Sequence, residues 1–392
     1  MAEKKIVYLD NSATTPISEE ALSAYVEASR TFFGNPSSLH TLGASSEKEI
    51  KKAREILLSS LGAKDYSVIF TASGSEANNL AIMGRAASKE RYKRGAKIIT
   101  TDGEHASVNM PLDELQKSGF KIAKIPTRDG IVDTEALARE MTPDTVLVSV
   151  MMVNNETGAL YDTKEISRIM KANAPEAVLH VDATQSFMKI PFTVKNIGAD
   201  MITVSSHKIH GPKGVGALII SPTIVKTRGL SPIIFGGGQE GGLRSGTENV
   251  PGIIAFAKAI EHESKILAQT EEKLRGLRNY LIEKLTRTPS LSEISITNPK
   301  FSAPHILNIT LPKIKSETML HYLSAEGIFV SSGSACSSNS AHASSALIAY
   351  GRDAKEADTS IRISLSRNNT KEDVDALCDA LEAGLKRLSR MR

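Results

Sequence analysis

At 392 residues the chain is too long for one ordinary domain, and roughly two or three are expected; 41% hydrophobic and 23% charged residues exclude a disordered or fibrous protein. A net charge of +4 is too weak to mark a nucleic-acid or anionic-membrane surface, and two cysteines, Cys336 and Cys378, exclude a disulfide framework or a multi-cysteine metal site within the chain. No run reaches the roughly 18 apolar residues of a membrane span and none follows the charged N-terminus, so the expected location is the cytoplasm.

From residue 66 to 220 short apolar runs alternate with helical periodicity. Strands are predicted at 67–71, 97–101, 121–126, 145–153, 178–183, 201–205 and 215–220, several apolar throughout, which suits strands covered on both faces. Helical patterns lie between them, notably 75–93 and 163–172. The fold class is therefore α/β with a mostly parallel sheet, and ligands are expected beyond the carboxyl ends of its strands. After a Gly/Pro-rich stretch at 232–246, a helical pattern over 250–286, whole or broken, links this large domain to a smaller one. Strands at 294–297, 306–311, 328–332 and 361–366, with helices at 316–325 and 371–389, predict a small α+β domain. The Ser-, Ala- and Gly-rich stretch 331–345 predicts a mobile loop.

Three constellations follow apolar strands. In Phe70-Thr-Ala-Ser-Gly-Ser-Glu-Ala-Asn-Asn79 a strand opens through small residues into a helix. Free N–H groups and the helix dipole favour a phosphate there, Gly74 permits close approach and Ser75 offers a hydroxyl. The plainer alternative is a Ser N-cap with Asn78 and Asn79 on the helix surface. In His180-Val-Asp-Ala-Thr-Gln185, Asp182 at a strand end is a candidate partner for a protonated ring nitrogen, or a turn cap. In Ser205-Ser-His-Lys-Ile-His-Gly-Pro-Lys-Gly214, Lys208 and Lys213 are both candidates to form a Schiff base with an aldehyde, unless they are simply solvated. His207 and His210 lack a third ligand at a persuasive spacing, so no metal site is expected.

In this order the motifs resemble those of the class V aminotransferase-like group of pyridoxal-phosphate enzymes, and within it the NifS/IscS-like cysteine desulfurases. The resemblance spans almost the whole chain. It begins at Tyr8-Leu-Asp-Asn-Ser-Ala-Thr-Thr-Pro16 and Phe33-Gly-Asn-Pro-Ser37, and continues through Gly103-Glu-His105, Val153-Asn-Asn-Glu-Thr-Gly158, Gly236-Gly-Gly-Gln-Glu240 and Arg244-Ser-Gly-Thr-Glu-Asn249. It closes with Ser332-Gly-Ser-Ala-Cys-Ser-Ser338 and Arg362-Ile-Ser-Leu365.

The resemblance implies a pyridoxal-phosphate-dependent transferase of fold type I, with a large domain at 16–260 built on a seven-stranded sheet. Residues 1–15 and 261–392 would form the small domain carrying the cysteine loop, about 331–346. Lys208 would bind the cofactor aldehyde and Asp182 the ring nitrogen. His105 would lie over the ring and take part in proton transfer, with Asn155 and Gln185 near the phenolic oxygen. Gly74, Ser75, Ser205 and His207 would hold the phosphate, and Thr247 would reach it from the second subunit of a homodimer. Arg362 would clamp the substrate carboxylate, together with Asn155.

The thiols select the reaction. Cys378 sits in the apolar pattern of the last helix and reads as structural, whereas Cys336, among Ser, Gly and Ala, reads as the nucleophile. The implied activity is removal of sulfur from L-cysteine to give L-alanine and a persulfide on Cys336, destined for an iron–sulfur scaffold or a tRNA-thiolation enzyme. Selenocysteine lyase and amino-group transfer are the neighbouring alternatives. No direct contact with nucleic acid or membrane is expected. Residues 339–345 depart from the Gly- or Pro-containing continuation of the family, and no extended scaffold-binding tail follows the last predicted helix.

Overall fold

The computed structural model describes residues 6–88, 95–332 and 344–388. In chain order the first elements are β1 (Val7–Tyr8), α1 (Glu19–Thr31), α2 (Thr41–Ser60), β2 (Ser67–Thr71), α3 (Gly74–Ala87), β3 (Lys97–Thr101), α4 (Ala106–Lys117), β4 (Lys121–Ile125) and α5 (Thr134–Glu140). There follow β5 (Thr145–Met151), α6 (Thr163–Asn173), β6 (Val178–Asp182), α7 (Val194–Ile197), β7 (Met201–Ser205), β8 (Gly216–Ile220) and α8 (Pro222–Thr227). Seven strands form one sheet in the order β2-β8-β7-β6-β5-β3-β4, with β8 antiparallel to both neighbours and the other pairings parallel. The expected α/β class and mostly parallel seven-stranded sheet are thus found.

The side-chain alternation of the strands explains why their sequences are apolar throughout. In β2, Val68 and Phe70 enter one core while Ile69 enters another, and in β8 Ala217 and Ile219 oppose Leu218 and Ile220 in the same way. The first core is closed by Ile50 and Leu57 of α2 and by Ile166 and Ile169 of α6; the second by Leu80 of α3 and by Val108 and Leu112 of α4. Truncating a side chain as buried as Leu57 to alanine would cost about 2–5 kcal/mol.

The helices α1, α2 and α4 were not distinguishable as elements in the sequence. Helix α1 buries only Ala21 and Ala28 and α2 is polar along most of its length; α4 does carry an apolar stripe, Val108, Leu112 and Leu115, but Pro111 inside it reads as a helix breaker.

The remaining elements are α9 (Val250–Arg287), β9 (Ser295–Thr297), β10 (Ile306–Thr310), α10 (Ser316–Ala325), β11 (Ile328–Phe329), β12 (Ser331–Ser332), α11 (Ser345–Tyr350), α12 (Ala354–Asp358), β13 (Ser360–Ser364) and α13 (Lys371–Leu388). Helix α9 is unbroken over 38 residues, about 57 Å at 1.5 Å per residue. Asn249 caps it by accepting from the Gly252 N–H at 3.1 Å, and Pro251 stands in its first turn, where no N–H is needed. Ile253, Phe256 and Ile260 enter the first core of the large sheet, whereas Leu274, Leu277, Leu281 and Leu285 enter a third core. One rod therefore serves two cores. Between them Glu263 is buried and paired with Arg367 at 2.8 Å.

The third core also contains Val7 and Leu9, residues of the antiparallel sheet β12-β13-β10-β9, and Val374, Leu377, Cys378 and Leu381 of α13. The single strand predicted at 328–332 is two: Ile328–Phe329 pairs in parallel with β1, while Ser331–Ser332 pairs with β13. The change of partner at Val330 brings the N-terminal segment to the small sheet. Asn11 Nδ2 then donates to the Ser364 carbonyl at 2.9 Å, and the Ser12 N–H to Ser364 Oγ at 2.8 Å. Among the described residues no helix is long and apolar enough to cross a membrane.

Candidate active site

The carboxyl ends of β2, β6 and β7 meet beside the N-terminal segment and the small sheet, and enclose a cavity of about 390 Å³. Each strand turns sharply there. After β2, Ser73 caps α3 by accepting from the Glu76 N–H at 3.1 Å, leaving the first turn at Gly74 and Ser75 turned to the cavity. A Cβ at Gly74 would stand 3.2 Å from both Ser205 Cβ and Thr184 Oγ1, a tight contact that would press both side chains into the cavity wall. Ser205 Oγ is buried against it with no hydrogen-bond partner among the described residues. A helix N-terminus beside an unpartnered hydroxyl is an anion site.

Asp182 closes β6. Its Oδ2 accepts from Asn78 Nδ2 at 2.8 Å and its Oδ1 from the Thr184 N–H at 2.9 Å, so both oxygens are aimed. Lys208 follows β7 by three residues, and its Nζ donates to the carbonyls of Ser12 at 2.5 Å and Ala13 at 2.8 Å. Gln185 Nε2 donates to the same Ser12 carbonyl at 3.0 Å. His207 Nδ1 lies 3.2 Å from Thr14 Oγ1, and burial, with Lys208 and Lys213 nearby, pushes its imidazole down to about 4. At neutral pH His207 therefore meets an anion as a neutral N–H donor.

His105 caps α4 and lines the cavity. Burial holds its imidazole below the usual histidine range, Asp182 opposes that shift, and Lys208 and Arg362 add to it. The preceding Glu104 is fully buried, which pushes its carboxyl up to about 8; Oε1 accepts from Thr101 Oγ1 at 2.6 Å and from the Met151 N–H at 2.9 Å. Opposite, Arg362 of β13 donates from Nη2 to Asp10 Oδ1 at 2.8 Å and from Nη1 to the Asn155 carbonyl at 3.0 Å. Its Nε is buried without a partner among the described residues.

The structure brings Gly74, Ser75, His105, Asn155, Asp182, Gln185, Ser205, His207, Lys208 and Arg362 to one cavity. Thr247 stands apart, in a smaller hollow with Gly214, Arg244 and Asn249. Cys336 lies outside the described residues. Cys378 is buried and its thiol is pushed up to about 12, as a structural role requires. Among the described residues no group of three His, Cys, Asp or Glu side chains is placed to hold a metal ion.

Asp10, Asn78, Ser107 and Ser331 also line the cavity, and sequence reasoning assigned none of them a role. Asn78 is not a surface residue but is buried. Its spacing carried the signal, because four residues after Gly74 it shares that residue's helix face.

An amine, a carboxylate aimed by two donors, a helix N-terminus with an unpartnered hydroxyl and a guanidinium are the groups that a ligand with an aldehyde, a basic ring nitrogen and a phosphate needs, together with a substrate carboxylate. The family model "Aminotransferase class-V" matches residues 7–377. Cysteine desulfurase IscS of Dictyoglomus turgidum is 39% identical over 387 residues, 98% of this chain and 96% of that protein. Cysteine desulfurase IscS 1 of Archaeoglobus fulgidus is 39% identical over 387 residues, 98% of both chains. A solved NifS-like protein superposes with a TM-score of 0.89 at 35% identity, covering 98% of this chain and 100% of that one. The structure titled "SspA in complex with cysteine" superposes with a TM-score of 0.78 at 30% identity, covering 94% and 100%.

Proposed function

The chain belongs to the class-V aminotransferase family and, within it, to the cysteine desulfurases, and from that membership we propose how its own residues carry out the reaction. It is an enzyme of the pyridoxal-phosphate transferase fold type I that removes sulfur from L-cysteine and releases L-alanine. The observation that carries this reading is the convergence of Lys208, Asp182, the N-terminus of α3 and Arg362 on one cavity.

Pyridoxal 5′-phosphate, when bound, supplies the electron sink that labilises the substrate at Cα and activates its Cβ–S bond. Gly74, Ser75, Ser205 and His207 would hold its phosphate, and Asp182 would hold the positive charge on its ring nitrogen. Asn155 and Gln185, which line the same cavity, would be its neighbours at the phenolic oxygen. Lys208 would anchor the aldehyde, and its Nζ is the base placed to take the substrate's Cα proton. Arg362 binds the α-carboxylate with its planar fork, exchanging Asp10 for the incoming anion.

The sulfur step belongs to Cys336. Its thiolate forms an S–S bond to the substrate sulfur as the Cβ–S bond breaks; the electron pair stays with the carbon skeleton, which takes up protons and leaves as alanine. A reducing cytoplasm would keep Cys336 available as a thiol. The persulfide then passes to an acceptor in iron–sulfur cluster assembly or tRNA thiolation. Thr247, which is not among the residues lining its own chain's cavity, completes the phosphate site of a second subunit, which makes a homodimer the working unit.

Mass spectrometry after incubation with L-cysteine, without reductant, tests the reading. One extra sulfur on Cys336 with release of alanine is expected, and neither in Lys208→Ala. Alanine without the adduct, activity toward selenocysteine that survives Cys336→Ala, or amino transfer to an added 2-oxo acid would each sink it.

A further inference from the structure

Four side chains of the cavity form one continuous line of hydrogen bonds. Asp182 Oδ2 is 2.8 Å from Asn78 Nδ2, Asn78 Nδ2 is 2.8 Å from Ser107 Oγ, and Ser107 Oγ is 2.8 Å from His105 Nδ1. They come from β6, α3, the first turn of α4 and its cap. None of these three links joins residues that the reaction above couples.

Donor and acceptor roles follow in order from the Asp182 end. An ionised carboxylate only accepts, so the Asn78 atom facing it must be the amide nitrogen; the flipped amide would set Oδ1 against the carboxylate. The second N–H of that nitrogen points to Ser107 Oγ, which accepts it. The Ser107 hydroxyl proton is then left for His105 Nδ1. The Ser107 backbone N–H, 3.1 Å away, is aimed at the same ring nitrogen. Two donors converging on Nδ1 are satisfied only by its lone pair, so the ring proton resides on Nε2. Asn78 Oδ1 meanwhile is buried without a partner among the described residues. The amide is thus held by its two N–H contacts alone.

We propose that Asn78 and Ser107 are positioning residues that relay the charge of Asp182 to His105 and fix its neutral Nε2–H tautomer. The inference rests on the proposed function only for its consequence in turnover. His105 meets the cavity as an N–H donor, and any proton it gains must displace the donors on Nδ1. The charged groups facing the ring are Asp182 from β6, Lys208 beyond β7 and Arg362 from β13. Asp182 favours protonation while the two cations and burial oppose it, in the direction that keeps the ring neutral.

The test uses holoenzyme labelled with ¹⁵N-histidine and long-range ¹H–¹⁵N correlation spectra taken before L-cysteine is added. The His105 signals are identified by their loss in His105→Gln. Wild type is expected to show protonated Nε2 and unprotonated Nδ1 at neutral pH. Ser107→Ala removes a donor that stabilises the neutral ring, so His105 should gain its second proton at higher pH and begin to populate the Nδ1–H form. Asn78→Ala should do the same by freeing the Ser107 hydroxyl to reorient, and Ser107→Thr, which keeps a hydroxyl, should restore the wild-type spectrum. A wild-type ring protonated at Nδ1, or tautomer and titration unchanged in Ser107→Ala and Asn78→Ala, overturns the proposal. Should Asn78→Ala fail to fold, the Ser107 pair decides alone. Because the spectra precede turnover, loss of desulfurase activity and failure of the relay are read separately.

Discussion

Replacing Arg362 with glutamine removes the guanidinium that would hold the substrate carboxylate while leaving a side chain of similar reach. In the structure that group makes two charge-assisted or carbonyl contacts, 2.8 Å to Asp10 Oδ1 and 3.0 Å to the Asn155 carbonyl, and only 7% of its side chain is exposed. A hydrogen bond to a charged group contributes about 1.5–3 kcal/mol, and loss of one partner of a buried pair costs about 2–5 kcal/mol. The incoming carboxylate displaces Asp10, which holds one guanidinium N–H, and can also take the unpartnered Nε, so the net loss is below the full value of a buried pair, about 3 kcal/mol. At 1.36 kcal/mol per tenfold, that corresponds to roughly 150-fold in kcat/KM for alanine release from L-cysteine. Asp10, 22% exposed in its side chain, reaches water when its partner is removed, so folding should suffer less than binding. The control is cysteamine, which is L-cysteine without the carboxylate, followed by the absorbance change of the bound cofactor. The penalty should vanish for cysteamine, and Arg362→Lys, which keeps the charge but not the fork, should fall between. Equal losses for both ligands, or a fall in kcat/KM of less than about fivefold for L-cysteine, would refute the clamp.

Glu104→Gln should flatten the pH dependence of stability. The folded carboxyl is pushed up to about 8 from an ordinary 4.5, so the native state keeps a proton that the unfolded chain releases between those values; stability is full at the acid end and falls as pH rises through the window. Wild type should lose about 2 kcal/mol between pH 6 and 8 relative to the glutamine variant, read from urea midpoints, and parallel curves would remove the basis for a neutral Glu104. Thr247 can be tested in mixed dimers of a Lys208→Ala chain with a Thr247→Val chain. If Thr247 serves the second subunit, both defects fall in one site, the other is intact, and about half of wild-type activity should remain at limiting cofactor. Activity no higher than that of the Thr247→Val homodimer would place the residue in its own chain's site or in none.

Strands β5 to β8 were legible because burial on both faces makes them apolar throughout, and the reading missed their ends by no more than two residues. Asp182 was legible for a related reason: a polar residue that interrupts such a run at its carboxyl end stands at the mouth of the sheet, whereas Ser205 and the choice of Lys208 over Lys213 came from the resemblance. Asp10 and Ser12 were not legible. They acquire meaning from Arg362 and Lys208, far away in sequence, and nothing local marks them. Asn78 and Ser107 were hidden differently, since one resembles an exposed helix position and the other an ordinary first-turn serine. Helix α9 posed the opposite problem: its polar middle, 261–273, reads as a place where a helix could break, yet it is the span between two cores.

Asp10 and Arg362 are separated by 352 positions, and the segment that carries Asp10 also receives Lys208. A ribosome working at about 5–20 residues per second takes some tens of seconds to travel from one to the other. During that interval the nascent chain lacks the guanidinium that would seat an amino acid's carboxylate. If Arg362 seats the substrate, a half-made molecule would be spared from acting on cysteine before β13 emerges. The segment around Asp10 must in turn wait, unpaired with β13, until that strand is made.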